Sequence, residues 1–297
     1  HGESSGRRLA LARWIADPRN DLAMRSIVNR VWQHHFARPI APTPNDFGRF
    51  GENPTHPELL DWLAAAFVDR GMSLKELHRL LMHSSTYRQS SVPGEDALAL
   101  DAGNDLLSRF RMRRLTAEEL RDSMLAANGT LDPRLGGPGV RPPLPEAVLA
   151  TSSRPEEVWP LTPEDSWRRR SLYIHQKRSL QHPLLTVFDS ADVDQPCPVR
   201  FSTVQPTQAL SMLNGDLTIR EAKSLARRLE RERPGDLEAQ IALGRRLVSG
   251  RIPSDEEVAE AIEFVADLER VEGLSRSEAL ENLCLLLFNL NEFLYVD

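Results

Sequence analysis

Three carboxylates lie close together in one polar segment. Asp189, Asp192 and Asp194 fall within six residues, and Cys197 and Arg200 follow them. Oxygen ligands at this density can bind Ca²⁺, although the segment lacks the mid-loop glycine and closing glutamate of a calcium-binding hand. Two carboxyl groups facing each other across a cleft would instead suit glycoside hydrolysis. Aspartates in such a loop also form turns and helix caps, which is the simpler interpretation.

A thiol and an upstream tyrosine–histidine pair extend this first candidate site. A nucleophilic cysteine needs a lowered pKa, which a neighbouring arginine can supply. For Cys197, His175 or His182 would then be the base, and Tyr173 lies two residues before His175. Since no local motif marks a catalytic cysteine, we expect Cys197 to be a structural thiol or to form a disulfide with Cys284.

A second candidate site combines amide, guanidinium and imidazole groups from one helix and the loop after it. Its members are Asn29, Arg30, His34, His35, Asp46 and His56. Adjacent histidines point about 100° apart on a helix, and no His-x-x-x-His pair aims two ligands at one ion. We therefore assign no metal here, and we expect these side chains to hydrogen-bond the loop 39–57 to the helices.

Two arginine-rich runs, within 109–114 and 168–178, offer contacts for an anionic partner. Arginine forks suit sulfate and carboxylate groups, such as those of an acidic polysaccharide or an acidic protein domain. Trp159, Trp167 and Tyr173 lie near the second run, a combination compatible with sugar or protein recognition. The alternative is a solvated face whose arginines pair with the many acids of the chain.

The elements that position these groups follow helical periodicity. Apolar residues recur at three- and four-residue spacing in most of the chain, and capping boxes begin at Ser73, Thr116 and Ser254. Only 170–177 and 184–188 have the pattern of short strands. Eight prolines and three glycines fall within 131–170, which favours an irregular or extended connector.

We therefore predict a mainly α protein with at most a small β element. The expected organisation is an N-terminal helical lobe over 1–130, a long Pro/Gly-rich connector over 131–170 and a C-terminal helical lobe over 171–297. The length of 297 residues is sufficient for two lobes. We expect the functional cleft to be lined by 170–208 and 29–58.

Bulk composition excludes several classes of protein. The net charge of −6 argues against a nucleic-acid binder, and no apolar run is long enough to span a membrane. Two cysteines are too few for a disulfide framework, and they do not have the spacing of a zinc finger. The chain begins at His1 with a polar stretch and no signal peptide, so we expect a piece of a longer protein.

Ten short segments, taken in order, resemble a domain of unknown function abundant in planctomycete bacteria. They are 29–36 (NRVWQHHF), 46–48 (DFG), 54–63 (PTHPELLDWL), 84–90 (SSTYRQS), 113–118 (RRLTAE), 136–138 (GGP), 188–189 (FD), 207–210 (TQAL), 213–214 (LN) and 289–293 (NLNEF). In that family the domain lies at the C-terminal end of large proteins. Those proteins often also carry a cytochrome-c-like domain, a second uncharacterised domain and sometimes a carbohydrate-binding-like module.

The resemblance implies a setting and no activity. It implies an exported protein, located in the periplasm or at the cell surface. Its expected partners are the other domains of the parent protein, including a cytochrome-c-like domain, and polysaccharide. This chain has no Cys-x-x-Cys-His haem motif, so we expect no cofactor in it, with calcium at the acidic segment as the exception. We expect a scaffold or interaction module; the alternative is an enzyme acting on polysaccharide or another extracytoplasmic substrate through an Asp/Arg/His cleft in 170–208.

Overall fold

The computed structural model describes residues 5–150 and 153–297. His1–Ser4, the polar start of the chain, and Thr151 and Ser152 of the expected connector lie outside the described residues. Over the described residues the protein is mainly α-helical, as predicted, with fifteen α-helices and one sheet of two short strands. The chain divides into two compact units, one ending at Arg113 and also including Asp297, the other spanning Arg114–Val296.

The first unit contains five helices among its described residues, and its core forms where the second, third and fourth pack together. They are α1 (Arg7–Ile15), α2 (Asp21–Phe36), α3 (Pro57–Asp69), α4 (Leu74–Met82) and α5 (Glu95–Leu100). The side chain of Asn20 caps α2 by accepting the N–H of Ala23. Proline is the first residue of α3, where its missing N–H costs nothing.

The second unit contains the other ten helices. They are α6 (Ala117–Ala127), α7 (Glu146–Leu149), α8 (Pro155–Val158), α9 (Pro183–Val187), α10 (Pro206–Asn214), α11 (Asp216–Glu232), α12 (Leu237–Ser249), α13 (Asp255–Val271), α14 (Arg276–Phe288) and α15 (Asn291–Leu294). Strands β1 (Arg113–Arg114) and β2 (Tyr295–Val296) form the sheet. Helix α14 is the centre of this unit, because α11, α12 and α13 all pack on it.

A close helix approach in this core depends on a glycine. Gly244 lies in α12, and a Cβ added there would come within 2.9 Å of Leu229 Cδ1 and 3.3 Å of Leu287 Cδ1. Both leucines are buried. The absence of a side chain therefore lets α12 pack directly on α11 and α14.

The segment 131–170 lies within the second unit. Its described residues, 131–150 and 153–170, are irregular apart from α7, α8 and a 3₁₀ turn at Glu164–Ser166. Single parallel bridges join Asp132 to Arg169 and Val140 to Ile174, and the buried indole of Trp159 donates to the carbonyl of Pro142 at 2.8 Å. These contacts attach the segment to the unit.

Two local predictions were wrong. The run 184–188 is helical, because Pro183 begins α9 as a first helical residue. The run 170–177 contains a 3₁₀ turn, Ser171–Tyr173, in place of a strand.

Cys197 and Cys284 are both free thiols, the first exposed and the second buried, so the disulfide between them does not form.

Candidate functional site

Asp189, the first acid of the predicted cleft, is the centre of a hydrogen-bonded network. Arg114 donates to its Oδ2 at 2.6 Å, and Thr203 donates to the same oxygen from its N–H at 2.9 Å and to Oδ1 from its hydroxyl at 2.8 Å. Arg114 also donates to Gln208 Oε1 at 2.7 Å. The network thus joins β1, the end of α9 and the start of α10.

The electrostatics of this network favour a permanently ionised carboxylate. Burial opposes ionisation of Asp189, but hydrogen bonds from Thr203 and Arg114 outweigh it and hold the pKa of this carboxyl below its ordinary value. A carboxylate held in this way anchors a loop better than it delivers a proton. Arg114 and Gln208, on which the anchor depends, were not among the predicted site residues.

The remaining residues of the acidic segment lie at the surface and have separate partners. Asp192 accepts the N–H of Asp194 at 2.9 Å, a turn of the kind expected for aspartate. Asp194 forms an ion pair with Arg178. Arg200 binds both carboxylate oxygens of Glu118, at 2.7 and 3.0 Å.

Cys197 is the remaining member of this segment, and its thiol donates to the carbonyl of Val199 at 3.3 Å. Arg200 and the thiol also interact electrostatically. Neither predicted base, His175 nor His182, forms a hydrogen bond with Cys197 in the part of the chain that the structure describes.

Tyr173 and His175 contact the irregular segment of the second unit. The guanidinium of Arg169 lies 3.8 Å from the ring centroid of Tyr173, and the tyrosine hydroxyl accepts the N–H of Gly136 at 2.6 Å. His175 lies beside Trp159, with ring centroids 6.1 Å apart. These contacts hold Gly136 against the ring of Tyr173 and Trp159 against the ring of His175.

Asn29 and its neighbours connect α2 to the following loop. Asn29 is fully buried and exchanges two hydrogen bonds with Ala41: its Nδ2 donates to the carbonyl at 3.0 Å and its Oδ1 accepts the N–H at 2.9 Å. Arg30 donates to the side chain of Asn45. Asp46 accepts the N–H of Gly48 at 2.8 Å.

The imidazoles of the second candidate site do not gather at one point. His35 Nε2 lies 2.8 Å from Nδ1 of His78, on α4. Burial, reinforced by His78 and Arg113, lowers the pKa of His35. His34 is exposed, and His56 pairs with the neighbouring hydroxyl of Thr55 at 3.0 Å. Across residues 5–150 and 153–297 no three His, Cys, Asp or Glu side chains form a group that could hold a metal ion.

A cavity of about 230 Å³ in the second unit brings together charged groups that the sequence analysis did not single out as a site. Arg121 of α6 and Glu221 of α11 line it, together with His182 directly before α9. They are 2%, 5% and 6% exposed, respectively. The sequence feature that indicates this site is a charged residue on the apolar face of a helix. Arg121 lies four residues before Leu125, and Glu221 lies four residues before Leu225; both leucines are buried.

The three side chains differ in how many of their polar groups have hydrogen-bond partners in the chain. Arg121 donates to the carbonyl of Arg169 and the hydroxyl of Ser171 at 3.0 and 3.1 Å. Glu221 accepts from the amide of Asn128 at 2.8 Å. The ring of His182 has no hydrogen-bond partner among the described residues, and its Nδ1 is buried.

Comparison with known proteins gives a family and no activity. Residues 7–265 match PSD1, a protein of unknown function (DUF1553). Nothing among curated proteins matches the chain, and no solved structure matches it. In the described parts of the chain, every helix is too short or too polar to cross a bilayer. Because the family match covers most of the sequence, the chain belongs to the PSD1 family of proteins of unknown function (DUF1553).

Proposed function

We propose that this domain is a non-catalytic interaction module that packs against another domain of its parent protein through the first unit. The observation that carries this proposal is helix α1, which contains no buried residue. Leu9, Leu11, Trp14 and Ile15 are each more than half exposed.

The composition of α1 suits a covered helix. Its apolar residues lie all around the axis and share the helix with Arg7, Arg8 and Arg13, so that every side of the helix exposes apolar surface. At nine residues it is shorter than the ~12–15 that an isolated helix needs to be even marginally stable in water. Covering its four large apolar side chains would contribute roughly 1 kcal/mol each, because about half of each is exposed.

A second apolar surface in the same unit supports the proposal. A groove of about 430 Å³ is lined by Trp32, Leu59, Trp62 and Leu63 of α2 and α3 and by residues of α4. Trp62 is more than half exposed there. Exposed aromatic side chains in a concave apolar surface are typical anchors of protein–protein interfaces.

The contacts in the predicted cleft also support a non-catalytic role. Glycoside chemistry needs two carboxyls free to act on one bond, whereas Asp189 and Asp194 are each engaged by an arginine. The proposal assigns this domain no cofactor. The family resemblance supports the wider setting that we propose, an exported multidomain protein with cytochrome-c-like and carbohydrate-related domains.

The test is binding between this chain and the remaining domains of its parent, produced as a separate polypeptide and measured by surface plasmon resonance. We expect the double variant Leu11→Glu/Trp14→Glu to weaken association at least about tenfold, since two apolar anchors become charged. Leu161→Glu, at an exposed leucine of the second unit, is the matched control and should bind like the wild type.

Because no residue of α1 is buried within the chain, the double variant should unfold at nearly the same temperature as the wild type. The absence of any association at micromolar concentration, or equal binding by the double variant and the wild type, would contradict the proposal.

A further inference from the structure

We propose that the cavity between α6, α9 and the start of α11 binds a small uncharged molecule that carries hydroxyl groups and has the size of one sugar ring, and that His182 selects it by hydrogen bonding. This site lies in the second unit and does not depend on the docking proposal for α1.

The size of the cavity admits a small ligand. Its volume is about 230 Å³, many times the space that a single water molecule needs. A single six-membered sugar ring fits in a space of this size.

The charges around the cavity favour an uncharged ligand. Three arginines are matched by three carboxylates; the lining residues concerned are Arg121, Arg168, Arg220, Glu164, Asp216 and Glu221. Within this set, Arg220 pairs with Glu221 at 3.2 Å. His182 adds no charge at neutral pH, because burial and the arginines Arg121 and Arg220 lower its pKa to about 3. A charged ligand would lose its hydration without a net opposite charge to replace it.

The walls suit a molecule that has both apolar and polar groups. The lining includes Pro142, Pro143, Leu144 and Pro145, and Trp167 adds an indole. The carbon-bound hydrogens of a sugar ring suit such a surface. The imidazole of His182 and the first residues of α11, where backbone N–H groups lack partners within the helix, also line the cavity.

His182 is the main indication that the cavity binds a ligand, because a buried polar group without a hydrogen-bond partner has a cost in free energy. A neutral imidazole has one N–H donor and one acceptor nitrogen, and the buried Nδ1 of His182 has no partner among the described residues. A buried polar group without a partner costs about 1–3 kcal/mol. A ligand hydroxyl, which both donates and accepts, would recover that cost on binding.

The experiment uses a matched series of sugars with the wild-type chain. D-glucose and N-acetyl-D-glucosamine are the neutral probes, D-glucuronate is the anionic probe and D-glucosamine the cationic one. Binding is measured by calorimetry and by the ¹⁵N signals of the histidine rings. We expect saturable millimolar or tighter binding of a neutral probe, a shift of the His182 ring signals, and at least about tenfold weaker binding of both charged probes.

Two variants and a control locate the site. His182→Phe removes the hydrogen bonds, and Ser211→Leu fills part of the cavity from α10; we expect each to weaken binding by about tenfold or more. His175→Phe changes a histidine that does not line the cavity and should bind like the wild type.

Three results would overturn the proposal. They are a failure of both neutral probes to bind the wild-type chain, binding that leaves the His182 ring signals unchanged, and a preference for a charged probe. The measurements on the wild-type chain decide the matter even if a variant does not fold.

Discussion

The buried, neutral state of His182 makes the stability of the second unit dependent on pH in a defined direction. The folded protein keeps this ring unprotonated down to about pH 3, whereas an unfolded histidine takes up a proton near pH 6.5. Between these values the unfolded state binds more protons, so the free energy of unfolding falls as the pH is lowered. The loss begins near pH 6.5 and is complete near pH 3.

The size of the effect follows from the shift. Between pH 7 and pH 5 an unfolded histidine gains about three-quarters of a proton while folded His182 gains almost none, and the integrated difference in the free energy of unfolding is about 2 kcal/mol. The comparison that isolates this contribution is wild type against His182→Phe, because the carboxylates that also titrate are common to both. We expect the stability difference between the two proteins to shift by about 2 kcal/mol in favour of the variant on going from pH 7 to pH 5.

Urea unfolding followed by circular dichroism at the two pH values measures this difference. His83→Gln, at an exposed histidine of the first unit, is the control and should follow the wild type. Equal losses of stability for wild type and His182→Phe would refute the reasoning, because His182 would then gain a proton as readily in the folded as in the unfolded state.

Three further predictions concern the second unit. Asp189→Asn leaves its buried arginine partner without a counter-charge and should lower stability in urea unfolding by about 2–3 kcal/mol, whereas Asp194→Asn, whose ion pair is exposed, should change it by less than about 1 kcal/mol. Burial raises the pKa of Cys284, so a thiol reagent should modify Cys197 in the folded protein and Cys284 only after unfolding; reaction of both thiols in the folded state would contradict this. Gly244→Ala should cost about 1–3 kcal/mol in thermal or urea unfolding, because its methyl group would overlap a buried leucine, and an unchanged stability would show that the helices separate freely.

Elements with local signals were predictable from the sequence. The capping boxes at Thr116 and Ser254 are formed at the starts of α6 and α13, because capping depends on residues three positions apart. Helix α9 was not predictable in this way. The short run 184–188, with four apolar residues, does not distinguish a helix from a strand. Pro183 indicates a helix only if it is taken as the first helical residue.

The partners of the site residues could not be predicted, because they come from distant parts of the chain. The acidic segment directed attention to Asp189, but Arg114 is 75 residues away and its role depends on how β1 meets the end of α9. Arg121 and Glu221 lie 100 residues apart, and only the packing of α6 on α11 brings both to one cavity. Periodicity shows that a charge lies on a buried face, but not what it meets there.

Amide hydrogen exchange across Arg7–Ile15 tests the proposed interaction role most directly. In the isolated chain we expect these amides to exchange almost as fast as in an unstructured peptide, because α1 is short and contains no buried residue. In the intact parent protein we expect them to be protected by about a hundredfold or more, since packing would stabilise the helix by several kcal/mol. The same rapid exchange in both proteins would contradict the account, because α1 would then be uncovered even in the presence of its proposed partner.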